Sequence, residues 1–365
     1  MTASIMPYDW EAADPFILRS RFQLRRRSVV RETQERISMF VNSVLGPLAI
    51  SDLGRTLMHE HVLIGFPGWF MDARQPPFRR KEALGRVVEA FQGLHDHGVK
   101  TVVDPCPSDL GRDVEFIAEV SQASGINLIC ATGAYTELMG IPFTYATMSV
   151  DQIADSFVAE IERGVADTGI KCGIIKVATG EGKVTDYEMK VIAAAARAAK
   201  ATGTPILSHT ERATCGHEQI DIVTGEGLDS ANLLVGHCCG TDNPAYQRSL
   251  AERGAYVGFD RFGAELEIAD EIRMRNLKAL LDNGHLERVM VSHDSVNCWM
   301  GSPGPMSEPD LRAAMPNWKL THVFENVFPG LEDMGVARAD LDRIVTDNPR
   351  RYFEDAKSRL RPHAV

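Results

Sequence analysis

Residues 56–64, TLMHEHVLI, are an apolar run interrupted by two histidines one residue apart. Read as a strand, the run is buried, and positions i and i+2 face the same side. His59 and His61 then project together into whatever the strand lines, with Glu60 turned the other way, toward a helix layer. Four more polar residues stand in or just after similar runs: Lys176 in GIIKVAT, His209 in ILSHT, His237 in LLVGHCC and Asp294 in VMVSHDS. A single strand histidine is an ordinary core residue. Four histidines and an aspartate gathered from strand ends are the donor types that hold a transition metal.

Working outward, the apolar runs number eight, over 56–64, 99–105, 126–132, 172–178, 205–209, 233–237, 255–259 and 289–292. Helical periodicity lies between them. In 81–95 it is carried by Leu84, Val87, Val88, Phe91 and Leu94, and in 151–165 by Ile153, Phe157, Val158 and Ile161. Residues 186–201 are Ala-rich, and 276–283 repeat at Leu277, Leu280 and Leu281 before Gly284. Strand–helix alternation on this scale predicts parallel pairing in a single-domain (β/α)8 TIM barrel. The G-x-G-x-x-G expected after the first strand of a dinucleotide fold is absent. In such a barrel the C-terminal strand ends carry the chemistry. The long segment 295–319 (SVNCWMGSPGPMSEPDLRAAMPNWK) follows the last strand, and is expected to be a loop covering that face or wrapping onto a neighbouring subunit.

The chain has 365 residues and a net charge of −11, which argues against nucleic acid as a partner. No run reaches the roughly 18 apolar residues of a membrane span. The seven cysteines are odd in number, scattered and without a C-x-x-C pair, as expected of reduced, buried thiols in a cytoplasmic protein. Cys238 and Cys239 directly follow His237, so one thiol could reach the same site. Residues 1–38 include the basic RSRFQLRRRSVVRETQER and lack the apolar core of a secretory signal. They are expected to be a mobile or surface-wrapped extension, dispensable for activity, ahead of a catalytic domain over 39–365.

His59 and His61 suit one cation, and His209 and His237 a second. Asp294 adds a hard carboxylate. Imidazole with carboxylate favours zinc, manganese, iron or cobalt over calcium. His293 alternates away from Asp294 and reads as structural. An inward Lys176 beside two cations is desolvated and repelled, which favours the neutral amine. A neutral amine reacts with carbon dioxide to give a carbamate (N6-carboxylysine), whose two oxygens can bridge two metals. Two dications, one aspartate, one carbamate and one hydroxide sum to about +1, tolerable in a partly buried site. Two alternatives stay open: Lys176 ion-paired to Asp294, and a Schiff-base Lys176 in an aldolase-type barrel. The second leaves the other five residues unexplained.

From about Leu45 to about Phe353 the chain resembles the phosphotriesterase family of the amidohydrolase superfamily. The resemblance is carried by LGPLAISDLGRTLMHEHV, TVVDPCPSDLGRD, GIKCGIIKVAT, the SHT and GHC strand ends, VGFDRFG, VSHD and the closing TDNPRRYF. It implies a binuclear centre held by His59, His61, carboxylated Lys176, His209, His237 and Asp294, and a homodimer. Within the family the chain is more similar to the phosphotriesterase-like lactonases. That likeness puts Tyr135 of TGAY near the metals, Arg261 of VGFDRFG beside the lactone pocket and Trp299 of NCWMG on the eighth loop. Glu137 stands where a second aromatic is usual. The implied reaction is lactone opening by a bridging hydroxide, on an N-acyl homoserine lactone or another γ- or δ-lactone. Asp294 orients the hydroxide and accepts its proton, while Tyr135 and Arg261 place the carbonyl. Phosphotriesters are expected as promiscuous substrates; a dedicated organophosphate triester hydrolase or an amidase is the alternative.

Overall fold

The computed structural model describes residues 40–358, so expectations for residues 1–38 lie outside the described residues. A two-stranded pair, β1 (Phe40–Ser43) and β2 (Gly46–Ala49), precedes an eight-stranded parallel sheet. The sheet runs in chain order through β3 (Arg55–Leu57), β4 (Val99–Asp104), β5 (Asn127–Gly133), β6 (Ile174–Thr179), β7 (Ile206–Thr210), β8 (Leu233–Val235), β9 (Tyr256–Phe259) and β10 (Val289–Val291). Helices fill the connections, among them α1 (Arg80–Gln92), α2 (Val114–Ser124), α3 (Val150–Glu162) and α4 (Asp186–Thr202). The expected (β/α)8 barrel is present.

Two apolar layers hold it. Inside, Val103, Ile129, Ala131, Ile174, Leu207, Leu234, Tyr256 and Met290 pack together, with Val41, Ile50, Leu53, Tyr352 and Phe353 in the same cluster. Outside, the opposite strand faces pack on Val87, Phe91, Phe116, Phe157 and the alanines of α4. Each large side chain so buried stabilises the fold by about 1.5–3 kcal/mol. Helix α4 starts on a capping box, in which Thr185 Oγ1 accepts from Glu188 N–H and the Glu188 carboxylate accepts from Thr185 N–H.

The first strand is shorter than its apolar run implies. It ends at Leu57, so His59 and His61 lie in irregular backbone beyond it, and the strand alternation argued for them does not apply. The reason is barrel closure. Residues 59–64 keep one backbone bond to β4, Glu60 N–H to Val103 O at 3.0 Å, and bond across the seam to the chain after β10: Asp294 N–H to His59 O at 3.0 Å, His61 N–H to Ser295 O at 2.9 Å and Ile64 N–H to Cys298 O at 3.0 Å. Glu60, turned away from the two histidines, reinforces the seam. Its Oε1 accepts from His293 Nδ1 at 2.6 Å, and its Oε2 from Ser295 Oγ at 2.7 Å. His293 is thus structural, as expected, and its Nε2 accepts from Val323 N–H at 2.9 Å.

The segment after Asp294 is not a bare loop. It carries a short helix, α5 (Glu308–Ala314), capped by Ser307 through Asp310 N–H, a start signal present in SEPD. Trp299 bridges to Ile64, which ties the beginning of this segment to the barrel rim.

Candidate metal centre

Strand period places two of the six residues directly. Lys176 stands two positions beyond the inward Ile174, and His209 two beyond the inward Leu207, so both reach the C-terminal mouth on the interior face. The other four come from irregular backbone. His237 and Asp294 lie beyond their strands with φ of 60° and 53°. The left-handed region costs a non-glycine residue of order 1–3 kcal/mol, a strain typical of functional sites. Gly133, at φ +117°, lets strand β5 pass Lys176; a Cβ there would sit 1.9 Å from Lys176 O.

The side chains converge. Asp294 Oδ1 lies 3.3 Å from His59 Nε2 and 3.2 Å from His61 Nε2, and its Oδ2 lies 3.6 Å from His237 Nε2. Ring centroids of His237 are 4.7 Å from His59 and 4.6 Å from His209. Lys176 Nζ is 3.2 Å from His59 Nε2. Among the described residues no Lys176–Asp294 ion pair forms, so that alternative is not the observed arrangement.

Asp260 is the residue the sequence reading passed over, although it sits in the quoted VGFDRFG. Its Oδ2 is 2.8 Å from His59 Nδ1 and its Oδ1 3.0 Å from His237 Nδ1, and Oδ1 also accepts from His237 N–H at 2.7 Å. A carboxylate only accepts, so both rings carry the proton on Nδ1 and turn an Nε2 lone pair toward Asp294. Lone pairs and a carboxylate brought this close repel one another unless a cation stands between them. The donor set therefore fits a divalent metal: His59, His61 and Asp294 each bring a ligand atom within 4.8 Å of the others.

Electrostatics point the same way. Burial lowers His59 and His237 and takes His209 to about 4, which leaves neutral imidazoles. Burial also takes Lys176 down to about 8, the direction that frees its amine. Asp294 is held well below the usual carboxylate range: burial raises it, but the groups around it, the charged Arg261 guanidinium among them, outweigh that. His61 goes the other way, since Asp104, Asp294 and Cys106 overcome its burial. Asp104 Oδ1 is 3.5 Å from His61 Nδ1 and poorly aligned, and that nitrogen has no hydrogen-bond partner.

Of the expected pocket residues, Tyr135 and Arg261 touch the cluster. Tyr135 OH is hydrogen-bonded to His209 Nδ1 at 3.2 Å. Arg261 is closer to the chemistry than a pocket wall: its Nε donates to Asp294 Oδ2 at 3.0 Å, and its Nη1 to Glu267 at 2.8 and 2.9 Å. Trp299 packs on Phe66 with centroids 5.6 Å apart. All seven cysteines are free and buried. Cys238 Sγ donates to Val235 O at 3.1 Å; the thiol beside the cluster is Cys106, near His61 and Asp104. Among the described residues no helix is long and apolar enough to cross a membrane.

Comparison with known proteins places this geometry. The phosphotriesterase family matches residues 39–353. An aryldialkylphosphatase of Saccharolobus solfataricus is 36% identical over 309 residues, 83% of this chain and 95% of the relative. An N-acetyltaurine hydrolase of Rattus norvegicus is 27% identical over 354 residues, 86% of this chain and 97% of the relative. A crystal structure of a mutant PTE-like lactonase from Deinococcus radiodurans superposes with a TM-score of 0.81 at 34% identity, covering 86% of this chain and 99% of its own. Membership of a hydrolase family decides against the aldolase alternative. With a His/Asp cluster able to hold metal at the barrel mouth, the chain belongs to the phosphotriesterase family and is a metal-dependent hydrolase.

Proposed function

We propose that the protein opens lactones, N-acyl homoserine lactones or other γ- and δ-lactones, with phosphotriesters as promiscuous substrates. The observation that carries this reading is an apolar wall beside the charged cluster. Ile64, Cys106, Leu110 and Val296 are buried within it, with Phe66, Tyr135, Trp299 and Trp318 half-buried against them. Such a wall suits an acyl chain. The lactonase among the similar structures supports the reading, and the aryldialkylphosphatase supports the promiscuous one.

His59, His61, His209, His237, Asp294 and a carboxylated Lys176 are the proposed ligands of two divalent ions, zinc foremost. When bound, the ions supply Lewis acidity to the substrate's oxygen and bring the pKa of water to about 7. The chain's own residues do the rest. Asp294, oriented by Arg261, accepts the proton of the attacking water. Tyr135, released from His209 Nδ1 when that nitrogen holds a cation, would donate its one hydroxyl hydrogen to the substrate carbonyl. Asp260 keeps the His59 and His237 rings in one orientation. In this reading the active form is a cytoplasmic homodimer, testable by sedimentation of the metal-reconstituted protein.

A panel of lactones, paraoxon-type triesters and N-acyl amides tests the assignment. Lactone turnover should exceed the others; no lactonase activity beside efficient triester or amide hydrolysis would overturn it. Trp299→Ala should keep the metal content and change the lactone-to-triester ratio. One pocket contact is worth about 1–3 kcal/mol, so a shift of roughly 10- to 200-fold is expected. Equal losses on both substrate classes would mean that Trp299 supports the site without discriminating. Deleting residues 1–38 should leave turnover unchanged; a folded but inactive truncation would refute their dispensability.

A further inference from the structure

We propose that Glu211 is a positioning residue for His209: it fixes the ring's tautomer and thereby the affinity of the second cation. The second half rests on the binuclear reading above. Three of the cluster's histidines and their partners divide into two arrangements. Asp260 holds His59 and His237 by Nδ1, which turns Nε2 inward. His209 is held by the opposite nitrogen, with Nε2 3.0 Å from Glu211 Oε2. The Glu211 side chain is a carboxylate, an acceptor with no hydrogen to donate. The His209 proton therefore sits on Nε2 and the lone pair on Nδ1. That lone pair is the one Tyr135 OH now donates to.

The backbone is shaped to make this contact. Glu211 lies just past β7, in a turn where Arg212 and Ala213 take φ of 50° and 54°. Two successive non-glycine residues in the left-handed region are costly. The turn is held by Thr214 Oγ1, which donates to Glu211 O at 2.7 Å and accepts from Gly182 N–H at 2.8 Å. Thr210, at φ −122° and ψ 121°, is extended, so His209 and Glu211 fall on the same side of the chain, and the turn that follows holds Glu211 at the rim. The burial of the two carboxylates also differs. Asp260 is 1% exposed as a residue, while the Glu211 side chain is 34% exposed. Asp260 thus fixes one histidine of each cation, His59 and His237, from the interior, and Glu211 fixes His209 from the solvent edge, so Glu211 acts on the second cation alone.

Two measurements test the inference on the full chain. Two-bond 1H–15N NMR of the metal-free protein should show His209 protonated on Nε2. In Glu211→Ala the proton should move toward Nδ1, because the Tyr135 hydroxyl can accept as well as donate. Glu211→Gln, whose amide oxygen still accepts, should keep the parent tautomer. Zinc titration of the same proteins should show the second binding step weakened about 10- to 100-fold in Glu211→Ala, less in Glu211→Gln, with the first step little changed. An unchanged tautomer in Glu211→Ala overturns the inference, as does equal weakening of both steps, the mark of a merely structural role. A parent protein that binds a single zinc would instead remove the binuclear reading, while the tautomer measurement still decides the role of Glu211.

Discussion

Lys176→Ala is expected to purify without its divalent metal and to lose at least about 10³-fold in kcat/KM, the equivalent of about 4 kcal/mol. The side chain is 1% exposed and points its nitrogen at His59 from 3.2 Å, so no surface residue can take its place. Short carboxylic acids added to the medium should partly restore metal and turnover by standing in for the carbamate. Lys176→Arg should resist that rescue, because its bulk and charge fill the gap. Retention of two ions by the alanine variant without any added acid would end the bridging role. The unmodified amine adds a sign. Burial takes it to about 8, so the neutral, carbon-dioxide-reactive fraction grows as pH rises through that value. At a fixed concentration of dissolved carbon dioxide, reactivation of metal-free protein by zinc should therefore be faster at about pH 9 than at about pH 7; the opposite order would argue against carboxylation.

Asp260→Ala should come next in severity. One buried carboxylate serves His59 Nδ1, His237 Nδ1 and His237 N–H. Its loss frees two rings at once and strands buried donors at about 1–3 kcal/mol each. Partners of this kind are worth about 10- to 100-fold in metal affinity, so two rings together imply roughly 10²- to 10⁴-fold. Asp260→Asn keeps the shape and one acceptor oxygen, and should fall between. Thermal melting of the metal-free variants separates the two costs. Parental metal affinity in a folded Asp260→Ala protein would show that the rings hold their orientation without it.

The outline of the site was legible because barrel strands obey a period of two. That rule carries Lys176 from Ile174 and His209 from Leu207 to the mouth without any knowledge of neighbours. The same rule gave the right outcome for His59 and His61 through a wrong premise, since both lie past the end of β3. Their convergence comes from the seam bonds to the chain after β10, made across more than 230 residues of sequence separation. Arg261 was expected beside the lactone pocket, placing the carbonyl; nothing in VGFDRFG shows that its guanidinium also reaches Asp294.

The sequence by itself determined what is periodic or local: eight buried runs, the helices between them, the donor types and their order along the barrel. It also carried the capping signals, including the SEPD start of α5. Tertiary structure alone decided how the rings are turned. Asp260 and Glu211 look like any other acids in the chain, and only folding sets one at Nδ1 and the other at Nε2 of its histidine. The physical reason is that a hydrogen bond is specified within tenths of an ångström and a few tens of degrees. Strand period fixes which face a side chain takes, but not that geometry. The left-handed backbone at His237 and Asp294 likewise follows from closing the barrel around the site, not from the preference of either residue.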